Sequence, residues 1–214
     1  MGVRWSLGLL AATLLGGCTI VGSDKPLFTA ADSVGAPVLR PGLWAMPNDD
    51  CDFDEASPAK GWPECANATA VTADRLSGGE GGPSGKTKGG LAYRIAAGDP
   101  SGLQVATPED GKDGPKFIYA GLRPLEFDKQ GRATKLRVWL ALCAKPPNFE
   151  DGKAPDLPQP DRLPEGLEAR PKGMCVALNA EAARAAIKRS EDWLTGGKSE
   201  DGFLTAHWVR EGGD

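Results

Sequence analysis

Two extended segments, Phe117 to Phe127 and Thr134 to Cys143, constrain this chain more than any other part of it. In the second, Leu136, Val138, Leu140 and Leu142 fall on one face and Lys135, Arg137 and Trp139 on the other, the period-two pattern of a strand buried on one side. Asp128-Lys129-Gln130-Gly131 separates the two segments and supplies a turn with glycine where a positive φ is wanted. A long amphipathic hairpin is therefore expected, and its apolar face requires cover from further strands or a helix.

Other stretches repeat the pattern. Leu91, Tyr93 and Ile95 alternate with Ala92 and Arg94, Leu103 and Val105 can follow as a partner strand, Thr69 to Leu76 is a weaker candidate, and Phe203 to Arg210 reads as a last strand. Ordered structure is expected to begin at Leu39-Arg40-Pro41-Gly42-Leu43-Trp44, with Pro47 to Pro63 as a loop. Between Cys143 and Cys175, the prolines at 146, 147, 155, 158, 160, 164 and 171 remove backbone donors and argue for an excursion rather than sheet. Asn179 can then cap a helix to about Leu194, with Ala182, Ala183, Ala186 and Ile187 as its apolar stripe and Gly196-Gly197 as its stop. The expected class is α+β, mainly antiparallel β in a sandwich or barrel-like sheet, with one helix in the C-terminal half.

The N-terminus carries different information. Arg4 precedes an apolar run from Leu7 to Leu15, which ends in Leu15-Gly16-Gly17-Cys18. About nine apolar residues are too few to span a bilayer, which takes about 20. The segment resembles a bacterial lipoprotein signal with its lipobox. The resemblance implies cleavage of residues 1–17 and attachment of diacylglycerol and a further acyl chain such as palmitate at Cys18. Thr19 in place of Asp then implies sorting to the periplasmic face of the outer membrane. Residues 18–37 read as a flexible lipidated tether with an end-to-end distance of roughly 25 Å. Residues 38–214 read as a single periplasmic domain.

The formal net charge of −4 becomes −5 in the body once Arg4 is removed, which leaves it no electrostatic reason to seek nucleic acid or an anionic lipid surface. A content of 29 Gly and 18 Pro implies long loops. With Cys18 lipidated, Cys51, Cys65, Cys143 and Cys175 remain, an even number suited to disulfides in an oxidising compartment. Three pairings are open. Cys51 with Cys65 and Cys143 with Cys175 are expected, because each pair brackets a proline-rich segment. No Cys-x-x-Cys pair is available for zinc.

Candidate chemistry is fragmentary. Gly85-Lys86-Thr87 lacks the upstream glycine of a phosphate-cradling loop, since Glu80 stands there. Ser57-Pro58-Ala59-Lys60 matches S-x-x-K without the companion motifs of penicillin-recognising enzymes. Asp49, Asp50, Asp52, Asp54 and Glu55 are the densest carboxylates, but an EF-hand register from Asp50 puts Glu55 where Gly is needed. His207 is the single histidine, and a structural role is expected for it. Among the tryptophans, Trp44 and Trp139 are the candidates for a ligand surface, Trp139 because it lies opposite the leucine face of its strand.

Arg40-Pro41-Gly42-Leu43-Trp44 resembles the opening strand of small periplasmic proteins whose mature chains begin Lys-Pro-Gly-Leu-Trp. Together with the nearby cysteine pair and Ala120-Gly121-Leu122-Arg123-Pro124, it makes the chain similar to uncharacterised proteobacterial envelope lipoproteins; that resemblance implies no particular activity. The sequence thus reads as a lipid-anchored, disulfide-stapled module without enzymatic role, metal or cofactor. Its expected partners are the membrane, through the N-terminal lipid, and another envelope protein or a small apolar ligand. The alternative is an envelope hydrolase using carboxylates of the 49–55 loop or His207.

Overall fold

The computed structural model describes residues 20–48, 50–78, 89–108, 114–145, 163–171, 174–196 and 202–212. Eight antiparallel strands close into a barrel: β2 (Gly42–Ala45), β3 (Thr69–Val71), β4 (Arg75–Gly78), β5 (Leu91–Ala96), β6 (Ser101–Ala106), β7 (Phe117–Phe127), β8 (Ala133–Leu140) and β11 (Leu204–Arg210). Each pairs with the next along the chain, and β11 completes the ring by pairing with both β8 and β2. Closure removes the free edges that an open sheet of this size would expose. A three-stranded flap extends from the wall. In it β1 (Val21–Ser23) runs antiparallel to the start of β7, β10 (Cys175–Ala177) runs parallel to β1, and β9 (Leu167–Ala169) runs antiparallel to β10.

The β7–β8 hairpin forms where its turn residues place it. The Asp128 carboxylate accepts from the backbone N–H groups of Gln130 and Arg132, each at 2.9 Å, and Gly131 takes φ 75°. The helix α1 (Ala180–Thr195) begins at Asn179, whose side chain accepts from the Ala182 N–H at 2.8 Å. Ala182, Ala183, Ala186 and Ile187 are buried against the outside of the barrel. Small residues on the helix let it approach the wall closely, and the wall answers with glycines. A Cβ on Gly121 would stand 2.2 Å from the Trp139 ring, and one on Gly102 would stand 2.7 Å from the Phe28 ring. Arg184 ties the helix to the N-terminal segment, donating to Asp32 at 2.9 Å and to the Ala97 carbonyl at 2.5 Å. Asp32 also accepts from the Thr29 N–H and hydroxyl; these bonds, with the Arg184 guanidinium, hold its carboxyl down at about 2.

Two cores result. One fills the barrel with Leu39, Trp44, Val71, Ile95, Leu122, Ala133, Leu136 and Ala206. The other lies between wall, helix and flap, around Val21, Phe28, Tyr119, Trp139, Ala141 and Ile187. Both expected disulfides are present, Cys51–Cys65 and Cys143–Cys175, the second joining the end of β8 to β10.

Three expectations change. The segment read as a tether is part of the fold from Ile20 onward: Ile20 bridges Leu142, Val21 is fully buried, and the Gln104 side chain accepts from the N–H groups of Leu27 and Phe28. It lacks a period because its contacts run to three different elements rather than along one face. Thr69 to Leu76 is not one strand but part of a hairpin, with β3 and β4 joined through Thr72, whose N–H donates to the Arg75 carbonyl at 2.9 Å. The stretch between Cys143 and Cys175, read as an excursion rather than sheet, holds β9; like β1 and β10, this strand spans only three residues, below the length at which alternation is visible. Expectations for residues 1–19, Asp49, the 85–87 loop and Pro146 to Pro160 lie outside the described residues.

Candidate functional site

Barrel pairing fixes which side chains point inward. Register places Leu136 and Val138 opposite Ala206 and Leu204 on β11, and Val138 opposite Leu122 on β7. On the other side of β7, Ile118 lies opposite Val105, and Leu103 on β6 lies opposite Ile95 on β5. Along the inward series of β8 and β11, exposure rises toward Leu140 and Leu204. On β8, Leu136 is buried, Val138 half-buried and Leu140 40% exposed. On β11, Ala206 is buried and Leu204 is 38% exposed. Ile95 gives way to half-buried Leu91, Ser101 to half-buried Val105, Leu122 to half-buried Ile118, and Val71 to half-buried Thr69. The inward side chains pack as an apolar core, and Leu140 and Leu204 stand exposed at the end of β8 and the start of β11.

The segment from Arg40 to Trp44 is pinned by two indoles. The Trp44 indole donates to the Arg40 carbonyl at 2.8 Å, and the Trp208 indole donates to the Pro41 carbonyl at 3.0 Å. The Arg40 guanidinium lies 3.4 Å from the Trp208 ring centroid. Gly42 has φ 134°, and a Cβ there would meet the Arg210 carbonyl at 2.3 Å. Leu39 reaches Ala133 across a parallel bridge and packs in the barrel core. Tyr93 packs on the same core and donates to the Thr72 carbonyl at 2.9 Å; burial, then the Asp74 charge, pushes its hydroxyl up to about 12.

Neither tryptophan expected to face a ligand does so. Trp44 is 3% exposed, in the barrel core. Trp139 is 1% exposed, on the outer wall beneath α1, donating to the Ile187 carbonyl at 3.1 Å and meeting Phe203 edge-on. It does need a cover opposite the leucine face of its strand, and the helix supplies it. The Ala120 to Pro124 segment is also structural. Ala120 and Leu122 face inward, Gly121 receives the Trp139 ring, and Arg123 pairs with Glu191 of the helix and with Asp99.

The carboxylate loop and the histidine meet on the outer wall. The His207 Nε2 lies 2.8 Å from the Glu55 Oε1, and Arg210 donates to the carbonyls of Glu55 at 2.6 Å and Ser57 at 3.0 Å. Phe53 packs on Trp62, and the Cys51–Cys65 bridge closes the loop. The Ser57 hydroxyl donates to the Asp54 carbonyl at 2.7 Å and accepts from the Trp62 indole at 3.1 Å, so the S-x-x-K match is a loop staple. Among the described residues, Glu55 is the only hydrogen-bond partner of the His207 side chain, and no group of three or more His, Cys, Asp or Glu could hold a metal ion.

Sequence reasoning missed that Leu140 and Leu204, both exposed, lie near one another; alternation continues apolar to the strand end, but only the β8–β11 pairing brings them together. Compared with known proteins, the chain matches no family model, no curated protein and no solved structure.

Proposed function

We propose that this protein is a non-enzymatic envelope lipoprotein, held at the outer membrane by a lipid on Cys18, that takes a small apolar ligand where Leu140 and Leu204 of the barrel are exposed. The observation behind the ligand reading is the rise in exposure along the inward apolar series toward Leu140 and Leu204. An eight-stranded barrel has an interior either filled by side chains or wide enough for one small ligand. Apolar walls with few polar groups suit burial of hydrocarbon.

Titration of the purified protein with 1-anilinonaphthalene-8-sulfonate, followed by displacement with dodecanoate, tests this reading. Saturable fluorescence enhancement with displacement is expected, with loss of both in Leu140→Lys/Leu204→Lys. Equal enhancement in wild type and double variant would refute it. The Glu55–His207 contact favours the second reading, a hydrolase, because a carboxylate can orient a histidine base. His207→Ala separates the two, since ligand displacement is unchanged by it if the exposed leucines are the site.

A further inference from the structure

From the setting of the two disulfides, we infer that Cys51–Cys65 is a redox-sensitive latch: its reduction by a dithiol releases the loop it closes and parts Glu55 from His207, while the Cys143–Cys175 bridge and the barrel stay intact.

The two bridges sit in opposite surroundings. Cys143 and Cys175 are 5% and 0% exposed, inside the core between wall, helix and flap. Cys51 and Cys65 are only half-buried, in the loop on the outer wall. Thiol–disulfide exchange requires a thiolate to reach one sulfur of the pair, so access selects which bridge reacts. The bridge in the core is shielded, and the one in the loop is not.

The same contrast sets what the latch holds. Every residue from Cys51 to Cys65 is half-buried or exposed, so no buried side chain fixes the loop to either core. Its other ties lie at the surface. Phe53 meets Trp62 with 4.8 Å between ring centroids, Arg210 donates to the carbonyls of Glu55 and Ser57, and the His207 and Glu55 side chains, 27% and 50% exposed, meet each other. Solvent-exposed contacts of this kind are each weak, and the bridge makes them sufficient by removing conformations that the open segment would otherwise populate. Once open, the segment carries Asp52, Asp54, Glu55 and Glu64 against Lys60 alone, and this surplus of like charge opposes its return. The base of the loop is held independently of the bridge. The Met46 N–H donates to the Ala66 carbonyl at 3.0 Å and the Asn67 side chain donates to the Met46 carbonyl at 3.1 Å, so β2 and β3 keep their pairing when the loop opens.

The exchange is balanced. One thiolate of the dithiol attacks a sulfur of the pair, the other cysteine departs as a thiolate and takes a proton, and the second thiol of the reagent displaces the first cysteine from the mixed disulfide. The protein gains two thiols, and the dithiol becomes a disulfide.

His207 is the single histidine, so its Cε1–H resonance identifies itself in a proton spectrum. The purified protein is titrated with dithiothreitol and trapped with N-ethylmaleimide for peptide mass spectrometry, while the histidine resonance is followed at fixed pH. Cys51 and Cys65 should be alkylated at a reductant concentration at least about tenfold below that needed for Cys143 and Cys175. Over the same range the histidine resonance should move to its position in Glu55→Gln, with far-ultraviolet circular dichroism unchanged, and reoxidation should reverse it. Cys51→Ser/Cys65→Ser should show the moved resonance without reductant. Alkylation of all four cysteines in one step overturns the inference. Selective alkylation with the histidine resonance unmoved also overturns it, because the bridge is then a labile staple that holds nothing the other contacts do not. Should the double serine variant fail to fold, the wild-type titration decides by itself.

Discussion

Gly121 shows how a single missing side chain can organise a wall. The Trp139 ring lies where its Cβ would be, and the Trp139 indole reaches on to a helix carbonyl. Gly121→Ala forces the ring off the strand, and overpacking of this kind costs about 1–3 kcal/mol. Urea unfolding should show that loss as a lower midpoint with an unchanged slope. The tyrosines provide a second residue-scale test. Burial raises both Tyr93 and Tyr119, Tyr93 to about 12 from an ordinary 10.0. A raised folded pKa means that the stabilising contribution is complete below pH 10, where the unfolded chain begins to ionise, and declines as the pH rises toward 12. Absorbance at the phenolate band should therefore stay flat to about pH 11 in the folded protein, and ionisation should coincide with alkaline unfolding. A normal titration of either tyrosine near 10.0 would contradict its placement.

At the scale of elements, α1 is the clearest case of local chemistry agreeing with packing. Asn179, the alanine stripe and the exposed charged face all specify one helix, and the tertiary structure uses each as expected. Asn179→Ala removes the cap on the Ala182 N–H and should cost about 1 kcal/mol in thermal or urea denaturation, with helix content retained once folded. The β7–β8 hairpin was legible for the same reason, because turn residues and alternation pointed the same way. The flap was not. Strands of three residues carry no period, and β1 is held by a parallel partner roughly 150 residues away, which no local pattern encodes. The consequence is testable: Val21→Asp buries a charge beside the Cys143–Cys175 bridge and should destabilise the domain by at least about 3 kcal/mol, whereas a substitution in a tether would be silent.

At the scale of the whole molecule, closure of the ring converts eight amphipathic strands into an inside and an outside, each with its own core. It also makes the exposed leucines tolerant. Leu204→Lys, at a site 38% exposed, should change the urea midpoint by less than about 0.5 kcal/mol while weakening binding of an apolar probe, a combination that a buried structural leucine could not show. By itself the sequence determined the strands of visible period and the capped helix, because each is encoded by residues near one another in the chain; it left three cysteine pairings open, of which the structure holds the expected one. Only the tertiary structure decided that the sheet closes, that Trp44 and Trp139 are buried, that Glu55 meets His207, and that the chain is tied into the fold from Ile20. Those outcomes depend on pairings between distant segments, where many registers satisfy the local pattern and only the joint burial of both cores selects one.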